Sequence, residues 1–147
     1  YRGGLFLFDP MQKKYIPHGI NDAPFKSYSI SKIFDEKNGT LWVGTQGNGM
    51  IKYNIPNNTW SICAFDPTNQ ESLSNNDVNT IFRDNANIFW IGTYNGGINK
   101  YNPSKSQFLH YKKIANQTNS MSANGMRGIF EDSKGNIWAG TTFGGVN

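Results

Sequence analysis

The side chains best suited to ligand chemistry lie in three turns that share one position in the sequence pattern. The turns contain Gln46 and Asn48, Tyr94 and Asn95, and Thr142 and Phe143. Aromatic rings can stack on sugars, while amides and hydroxyls can hydrogen-bond to sugar hydroxyl groups. These residues differ from turn to turn although their surroundings repeat, which favours recognition of a carbohydrate. Drift on an unconstrained surface explains the same variation, so both interpretations remain open.

A catalytic centre has weaker support in the sequence. Catalysis needs a convergent acid, base or metal set, and the two histidines, His18 and His110, fall in predicted outermost strands. No His, Cys and Asp residues cluster at the spacing of metal ligands. Glu36, Asp84 and Asp132 share one position ahead of a turn, where a carboxylate can accept backbone N–H groups. The sequence therefore predicts no catalytic residue, no metal site and no cofactor.

A repeat of 48 residues fixes where these side chains fall. Three sets of residues keep that step: Trp42, Trp90 and Trp138; Gly44, Gly92 and Gly140; Gly49, Gly97 and Gly145. A period in the forties with strand-type patterning is typical of β-propeller blades. A Trp present once per blade favours packing between neighbouring sheets over stacking on a sugar. A Gly two residues later, inside the strand, allows another segment to approach closely.

The middle copy of the repeat predicts one complete blade of four antiparallel strands. Its alternating and β-branched runs place the strands at 78–83, 88–93, 97–101 and 108–111, with turns between them. The same pattern divides the all-β chain into an outer half blade (1–18), two blades (28–65 and 77–112) and an inner half blade (126–147). We therefore expect about three blades' worth of a β-propeller.

The innermost strands add Ser31, Asn79 and Arg127, which recur at the same step near the expected channel mouth. Arg127 could pair with the uronate or sulfate of an acidic glycan. Asn79 and Arg127 therefore join the six turn residues as candidate ligand-binding residues. The connections at 66–77 and 114–124 are long and rich in Asn, Ser and Thr, which suits either functional loops or solvated connectors.

Composition argues against several function classes. The net charge is +4, but the 14 Lys and Arg residues are dispersed, unlike a nucleic-acid-binding stripe. The single cysteine, Cys63, excludes an internal disulfide. No apolar run is long enough for a membrane-spanning helix, so membrane attachment would come only through parts outside this sequence.

The sequence opens on the third strand of a blade and ends as another third strand begins, since residues 3–10 match residues 96–103. About three blades cannot close a ring, because propellers usually have four to eight. We expect either a segment of a longer propeller or closure by self-association. In the second case the strand at 5–8 of one chain would lie beside the strand at 137–141 of another, and two chains would make six blades.

The repeat Ile-Phe-x-Asp-x-x-Gly-x-Ile-Trp-x-Gly-Thr-x-x-Gly-Gly-x-Asn-x-Tyr resembles the two-component regulator propeller repeat. Residues 131–147 carry almost all of it and 89–103 nearly as much, while Gly47-Asn48-Gly49 departs from the usual x-Gly-Gly. The resemblance implies a periplasmic sensor region of a hybrid two-component system, whose membrane helix, kinase and regulator domains would lie elsewhere.

The function implied by the resemblance is detection of oligosaccharides and induction of genes for polysaccharide use. Two alternatives remain open. A scaffold or protein-interaction propeller would bind a stable partner but no glycan. A propeller lyase or glycosidase is also conceivable, because bacterial lyases of the streptogramin type carry similar repeats.

Overall fold

The computed structural model of the chain describes residues 4–16 and 24–147, and only the backbone of residues 24 and 25. His18, which the sequence places in an outermost strand, lies outside the described residues. The described part is all-β apart from a short 3-10 helix, Pro24–Ser27.

The strands follow one another in the order that the repeat predicts. They are β1 (Leu7–Asp9), β2 (Lys14–Ile16), β3 (Ser29–Asp35), β4 (Thr40–Gln46), β5 (Met50–Asn54), β6 (Thr59–Cys63), β7 (Val78–Arg83), β8 (Phe89–Thr93), β9 (Ile98–Asn102), β10 (Gln107–Tyr111), β11 (Met126–Glu131), β12 (Ile137–Thr141) and β13 (Gly145–Val146). The strands of the middle copy agree with the sequence prediction to within one residue at each end.

These strands form four antiparallel sheets in which neighbours in sequence are neighbours in space. The N-terminal hairpin contains β1–β2, the first blade β3–β6, the second blade β7–β10, and the C-terminal sheet β11–β13. Four-stranded antiparallel units confirm the predicted blade architecture. The innermost strands β3, β7 and β11 contact one another in sequence order, so the sheets stack side by side.

The main core lies between the two complete blades. Trp42 of the first blade is 1% exposed, and its ring lies 5.0 Å from that of Phe89 and 5.7 Å from that of Tyr101 in the second blade. Trp42 therefore fills the space between sheets, as predicted. Trp90 is only partly buried, and Trp138 is 48% exposed on the outer face of the C-terminal sheet.

The strand glycines form the joints between sheets. A Cβ on Gly44 would lie 2.8 Å from Cγ1 of Val78, and one on Gly92 would lie 2.6 Å from Cβ of Met126. Val78 and Met126 each begin the innermost strand of the following sheet, so the missing side chain creates the space for the next unit. The same position on Gly140 is open, with the nearest atom 3.8 Å away.

The glycines that open each third strand have a different role. Gly49 and Gly97 have φ angles of +79° and +77°, in the left-handed region that favours glycine. A Cβ on Gly97 would also clash with the carbonyl oxygen of Tyr111 in the fourth strand. Gly49 and Gly97 directly precede β5 and β9, and their left-handed backbone conformation turns the chain into these strands.

Candidate functional site

A single carboxylate organises the turn before each of the last two tryptophans. Oδ1 of Asp84 accepts backbone N–H groups from Ala86 and Ile88, both at 2.9 Å. Its Oδ2 accepts a 2.7 Å hydrogen bond from the indole Nε1 of Trp90. The backbone contacts confirm the predicted turn role, while the indole contact was not foreseen.

Asp132 repeats this arrangement in the C-terminal sheet. Oδ1 accepts the N–H groups of Lys134 and Asn136, and Oδ2 accepts Nε1 of Trp138, each at 2.9 Å. The hydrogen bonds from the Trp138 indole and then from Asn136 hold the pKa of Asp132 well below its usual value of 3.8. The carboxylate is therefore a structural acceptor that is ionised at neutral pH.

The first blade departs from this pattern, and the turn role expected for Glu36 is wrong. Asp35 accepts the N–H of Lys37 at 2.8 Å, and Asn38 accepts that of Thr40 at 3.0 Å. The longer Glu36 side chain instead extends to the second blade, where its Oε1 lies 3.6 Å from Nη1 of Arg83. As a result the buried Nε1 of Trp42 has no hydrogen-bond partner.

The inner-strand candidates lie at a joint between sheets. The strand register shifts between residues 30 and 32 and again between residues 78 and 80, so Ser31 and Asn79 are bulged residues. The Ser31 hydroxyl donates to the carbonyl oxygen of Val78, and Nδ2 of Asn79 donates to that of Met126 at 3.0 Å. Asn79 therefore ties its blade to the next sheet, a structural contact that the spacing alone did not reveal.

Arg127 occupies the equivalent bulge in the C-terminal sheet but is exposed. Its Nε donates a 2.9 Å hydrogen bond to Oγ1 of Thr142. This bond brings together two of the residues that the sequence proposed for ligand binding.

The turns between second and third strands share one rigid frame. Oγ1 of Thr93 accepts the N–H of Gly96 at 3.0 Å and donates to the carbonyl of Gly97 at 3.1 Å. Thr45 makes the same pair of bonds, at 3.2 Å with the N–H of Asn48 and 2.7 Å with the carbonyl of Gly49. Side chains at the tips of these turns can therefore vary without altering the turn.

The tips of two turns carry exposed aromatic rings. Tyr94 is 51% exposed and Phe143 is fully exposed, while Asn95 is exposed beside Tyr94. The backbone N–H of Tyr94 donates to Asp77, and that of Thr142 donates to Gly125. Since Asp77 and Gly125 end the connections between sheets, turns and connections meet at one end of the blades. We call this end the loop face.

The first turn presents amides to the same loop face. Gln46 is exposed, and its Oε1 accepts the hydroxyl of Ser29 at 2.8 Å. Asn48 is partly buried. Among the eight candidate residues, all of which the structure describes, Arg127 and Thr142 are bonded to each other, whereas Asn79 bonds to the neighbouring sheet.

Two asparagines that sequence analysis missed hold the connections in place. Oδ1 of the fully buried Asn99 accepts the N–H of Ser74 at 2.8 Å, and its Nδ2 donates to the Ser74 hydroxyl at 2.9 Å. Asn147 makes the same two bonds to Ser122, at 2.7 and 2.9 Å. The 48-residue step between Asn99 and Asn147 is the signal that could have found them. The first blade has Ile51 at this position.

Two adjoining clefts, of about 430 and 620 Å³, lie beside the second connection. Both are lined by Ile114, Gln117, Ser120, Met121 and Asn147. The first connection, at 66–77, instead contacts β10, the fourth strand of the second blade. There the N–H of Phe108 donates to Glu71, and Nε2 of His110 lies 2.8 Å from the carbonyl oxygen of Ser72.

The described part of the chain contains no candidate for a metal site or for a membrane-spanning helix. Residues 4–16 and 24–147 contain no group of three or more His, Cys, Asp or Glu side chains placed to hold a metal ion. Over the same residues, no helix is both long and apolar enough to cross a bilayer.

Comparison with known families identifies the repeat. A family model described as "Two component regulator propeller" matches residues 72–95 and 120–143, which include the aspartate–tryptophan turns of the second blade and the C-terminal sheet. Residues 72–95 and 120–143 match the two-component regulator propeller repeat. No curated protein matches the sequence.

Solved structures with the same fold agree with these propeller repeats. The chain superposes over 99% of its length on the extracellular domain of BT3049 from B. thetaiotaomicron, described as a hybrid two-component system, with a TM-score of 0.80 and 22% identity. Two structures of the BT4673 extracellular domain from the same organism, described as a one-component and as a hybrid two-component system, give TM-scores of 0.74 and 0.69 with 22% and 26% identity over 99% of the chain.

The chain spans about a fifth of the structures that it matches, with coverage of 20%, 19% and 18% of their lengths. The likeness therefore establishes the blade fold.

Proposed function

We propose that these blades form part of an extracytoplasmic sensor propeller that recognises an oligosaccharide through its loop face. The observation that carries the proposal is the contrast between the constant turn frame and its variable tips. Thr45 and Thr93 hold the same backbone bonds, while the tips display amides in one turn and an exposed Tyr94 in the next. A rigid scaffold with variable polar and aromatic loops suits ligand recognition.

The repeats and the structural neighbours support a role in signalling. The neighbours are described as extracellular domains of two-component or one-component systems, and we extend that setting to this chain as a periplasmic sensor region. Ligand binding would regulate genes for polysaccharide use through domains elsewhere in the polypeptide. Under this proposal the blades bind and release their ligand without catalysing a reaction.

Arg127 supports an anionic ligand. Its guanidinium is exposed at the loop face, held by one bond to Thr142, and a guanidinium pairs bidentately with a carboxylate or sulfate group. The equivalent Asn79 bonds to the neighbouring sheet, so contact with a neighbouring sheet is the alternative role for Arg127. Comparing the binding of acidic oligosaccharides with that of neutral ones of equal length distinguishes the two roles.

A calorimetric titration with matched acidic and neutral oligosaccharides tests the proposal. Tyr94→Ala and Phe143→Ala should each weaken binding by about two- to tenfold, because stacking on a ring contributes roughly 0.5–1.5 kcal/mol. Arg127→Gln should weaken acidic ligands selectively. Leu109→Ala, which removes an exposed side chain from the outer strand β10, is the control. Binding that none of the loop-face variants alters would overturn the assignment of this site.

A scaffold propeller is the second candidate because large apolar side chains are exposed beside the complete blades. Phe130 and Trp138 are 62% and 48% exposed on the C-terminal sheet. Apolar patches of this kind mark protein contacts. This reading predicts a stable protein partner and no response to any oligosaccharide in the titration.

A further inference from the structure

Asp77 ends the connection that leads into the second blade, and its carboxylate has no partner within the described part of the chain. Every other Asp and Glu side chain of residues 4–16 and 24–147 accepts a hydrogen bond or joins an ion pair. The Asp77 side chain is only partly buried, so its oxygens are open to solvent at the loop face. An acceptor that the fold itself does not use is available to a ligand.

Asp77 lies directly opposite Tyr94 on the neighbouring strand. The pair formed by Val78 and Thr93 is the first of the ladder between β7 and β8. One step further towards the loop face, the N–H of Tyr94 donates to the carbonyl oxygen of Asp77 at 2.9 Å. Directly opposite residues carry their side chains on the same face of a sheet, with Cβ atoms about 5 Å apart. The carboxylate therefore lies beside the Tyr94 ring, which is 51% exposed.

The internal repeat shows that side chains at these two positions meet. The equivalent pair of the first blade is Ser29 and Gln46, and there the Ser29 hydroxyl donates to Oε1 of Gln46 at 2.8 Å. The side chains of that pair satisfy each other. In the second blade neither Asp77 nor Tyr94 has a side-chain hydrogen bond among the described residues, so both are free to bind a ligand.

The neighbouring C-terminal sheet adds no side chain from the position equivalent to Asp77. That residue is Gly125, where a Cβ would lie 2.9 Å from the Tyr94 carbonyl oxygen. The residue equivalent to Tyr94 is Thr142, whose hydroxyl accepts the Arg127 side chain. Sheets contact the second blade on both sides, so the exposure of this pair is a property of the loop face itself.

A free carboxylate beside an exposed aromatic ring suits a sugar. The ring packs against the C–H groups of a pyranose, and the two carboxylate oxygens accept two O–H donors at once. The exposed amide of Asn95, next to Tyr94, adds a further donor and acceptor. A carboxylate also attracts an ammonium group, but the exposed Arg127 at the same face and the net charge of +4 disfavour a cation here.

We propose that Asp77 binds two adjacent hydroxyl groups of the sugar ring that stacks on Tyr94. This inference rests on the proposed oligosaccharide function of the loop face, and it adds a residue that determines specificity. The ring on Tyr94 must keep two neighbouring hydroxyl groups free of linkage or substitution. Arg127 contacts an acidic group elsewhere on the ligand, so the two charged residues recognise different parts of one oligosaccharide.

Calorimetric titration of the intact chain with neutral hexasaccharides tests the proposal. Each ring of maltohexaose and xylohexaose keeps two adjacent free hydroxyl groups, whereas the inner rings of laminarihexaose have no such pair. The first two probes should therefore bind more tightly than the third. Because all three are neutral, the contact proposed for Arg127 does not contribute to the difference.

Asp77→Asn keeps the shape of the side chain but replaces one acceptor oxygen with a donor. It should weaken binding of maltohexaose and xylohexaose by about tenfold and remove their advantage over laminarihexaose. Asp9→Asn makes the same change of charge in the turn of the N-terminal hairpin, at the opposite end of the strands, and is the matched control. The urea midpoint of Asp77→Asn should stay near that of the wild-type chain, because the carboxylate holds no bond within it.

The outcomes separate this inference from the proposed function. Binding that Tyr94→Ala weakens and Asp77→Asn leaves intact would overturn the role of Asp77 and retain the loop face as an oligosaccharide site. No binding of the three neutral probes would also overturn that role, while acidic oligosaccharides decide the proposed function separately. Tighter binding of a glucosamine hexamer, lost in Asp77→Asn, would assign the carboxylate to an ammonium group and overturn the hydroxyl assignment.

Discussion

The indole Nε1 of Trp90 donates a 2.7 Å hydrogen bond to Oδ2 of Asp84. The other oxygen of that carboxylate accepts two backbone N–H groups of the intervening turn. One side chain thus fixes both the turn that precedes β8 and the ring that packs on its face. In the first blade these tasks are separated, and the Trp42 indole nitrogen is buried without an acceptor.

Asp84→Ala should lower the free energy of unfolding by about 1–3 kcal/mol, because three donors lose a charged acceptor. Urea denaturation followed by tryptophan fluorescence measures the change. Asn85→Ala is the matched comparison, since it changes an exposed side chain of the same turn. Its effect should be smaller, and an equal loss in both variants would contradict the proposed role of the carboxylate.

Asn99→Ala should cost about 1–3 kcal/mol, because the N–H of Ser74 loses its acceptor inside the protein. The same urea titration measures it. Asn95→Ala changes an exposed asparagine of the same blade and should leave the midpoint nearly unchanged. If the two variants unfold at the same urea concentration, the bond to the connection does not contribute to stability.

Gly92→Ala should destabilise the chain by about 1–3 kcal/mol through overpacking, because the new methyl group would lie 2.6 Å from Cβ of Met126. Gly140→Ala places the same methyl group in the open space of the C-terminal sheet. Under conditions where the chain is monomeric, thermal unfolding should therefore separate the two. A similar melting temperature for both variants would show that the joint between sheets relaxes freely.

Asp132 should make stability fall in acid. Its pKa in the folded chain lies below the ordinary value of 3.8 because of the Trp138 and Asn136 hydrogen bonds. A depressed carboxylate pKa adds stability above the unfolded-state pKa, and that stability is lost as pH falls through the folded-state pKa. The difference between the wild-type chain and Asp132→Asn should therefore be full at neutral pH and shrink below about pH 4. A constant difference from pH 7 to pH 2 would exclude this contribution.

The sequence predicts the strands well because the repeat and the strand patterning act together. In the second blade the 48-residue step locates each element, and alternating residues such as those of Ile98–Asn102 set its faces. The role of Trp42 follows from the same logic, since a large ring repeated once per sheet needs a neighbour to cover it. The exposure of Trp138 depends on which sheets are present, and local sequence does not determine that.

The candidate site is less predictable, because it depends on contacts between distant segments. The backbone bulge at Asn79 turns its amide towards the next sheet, and alternation along a strand gives no sign of such a bulge. Glu36 and Asp84 look equivalent in sequence, yet one extra methylene lets Glu36 reach Arg83. Buried amides such as Asn99 are also easy to miss among the many asparagines of this chain.

Leu73 lies in the middle of the connection between the complete blades, yet it is fully buried in the core that they share. Next to it, the amide of Ser74 is bound by Asn99. A protease can reach the backbone around Leu73 only after the blades around it have opened, whereas the exposed residues 64–71 need no such opening. The rate of cleavage next to Leu73 would therefore report how often the two blades separate.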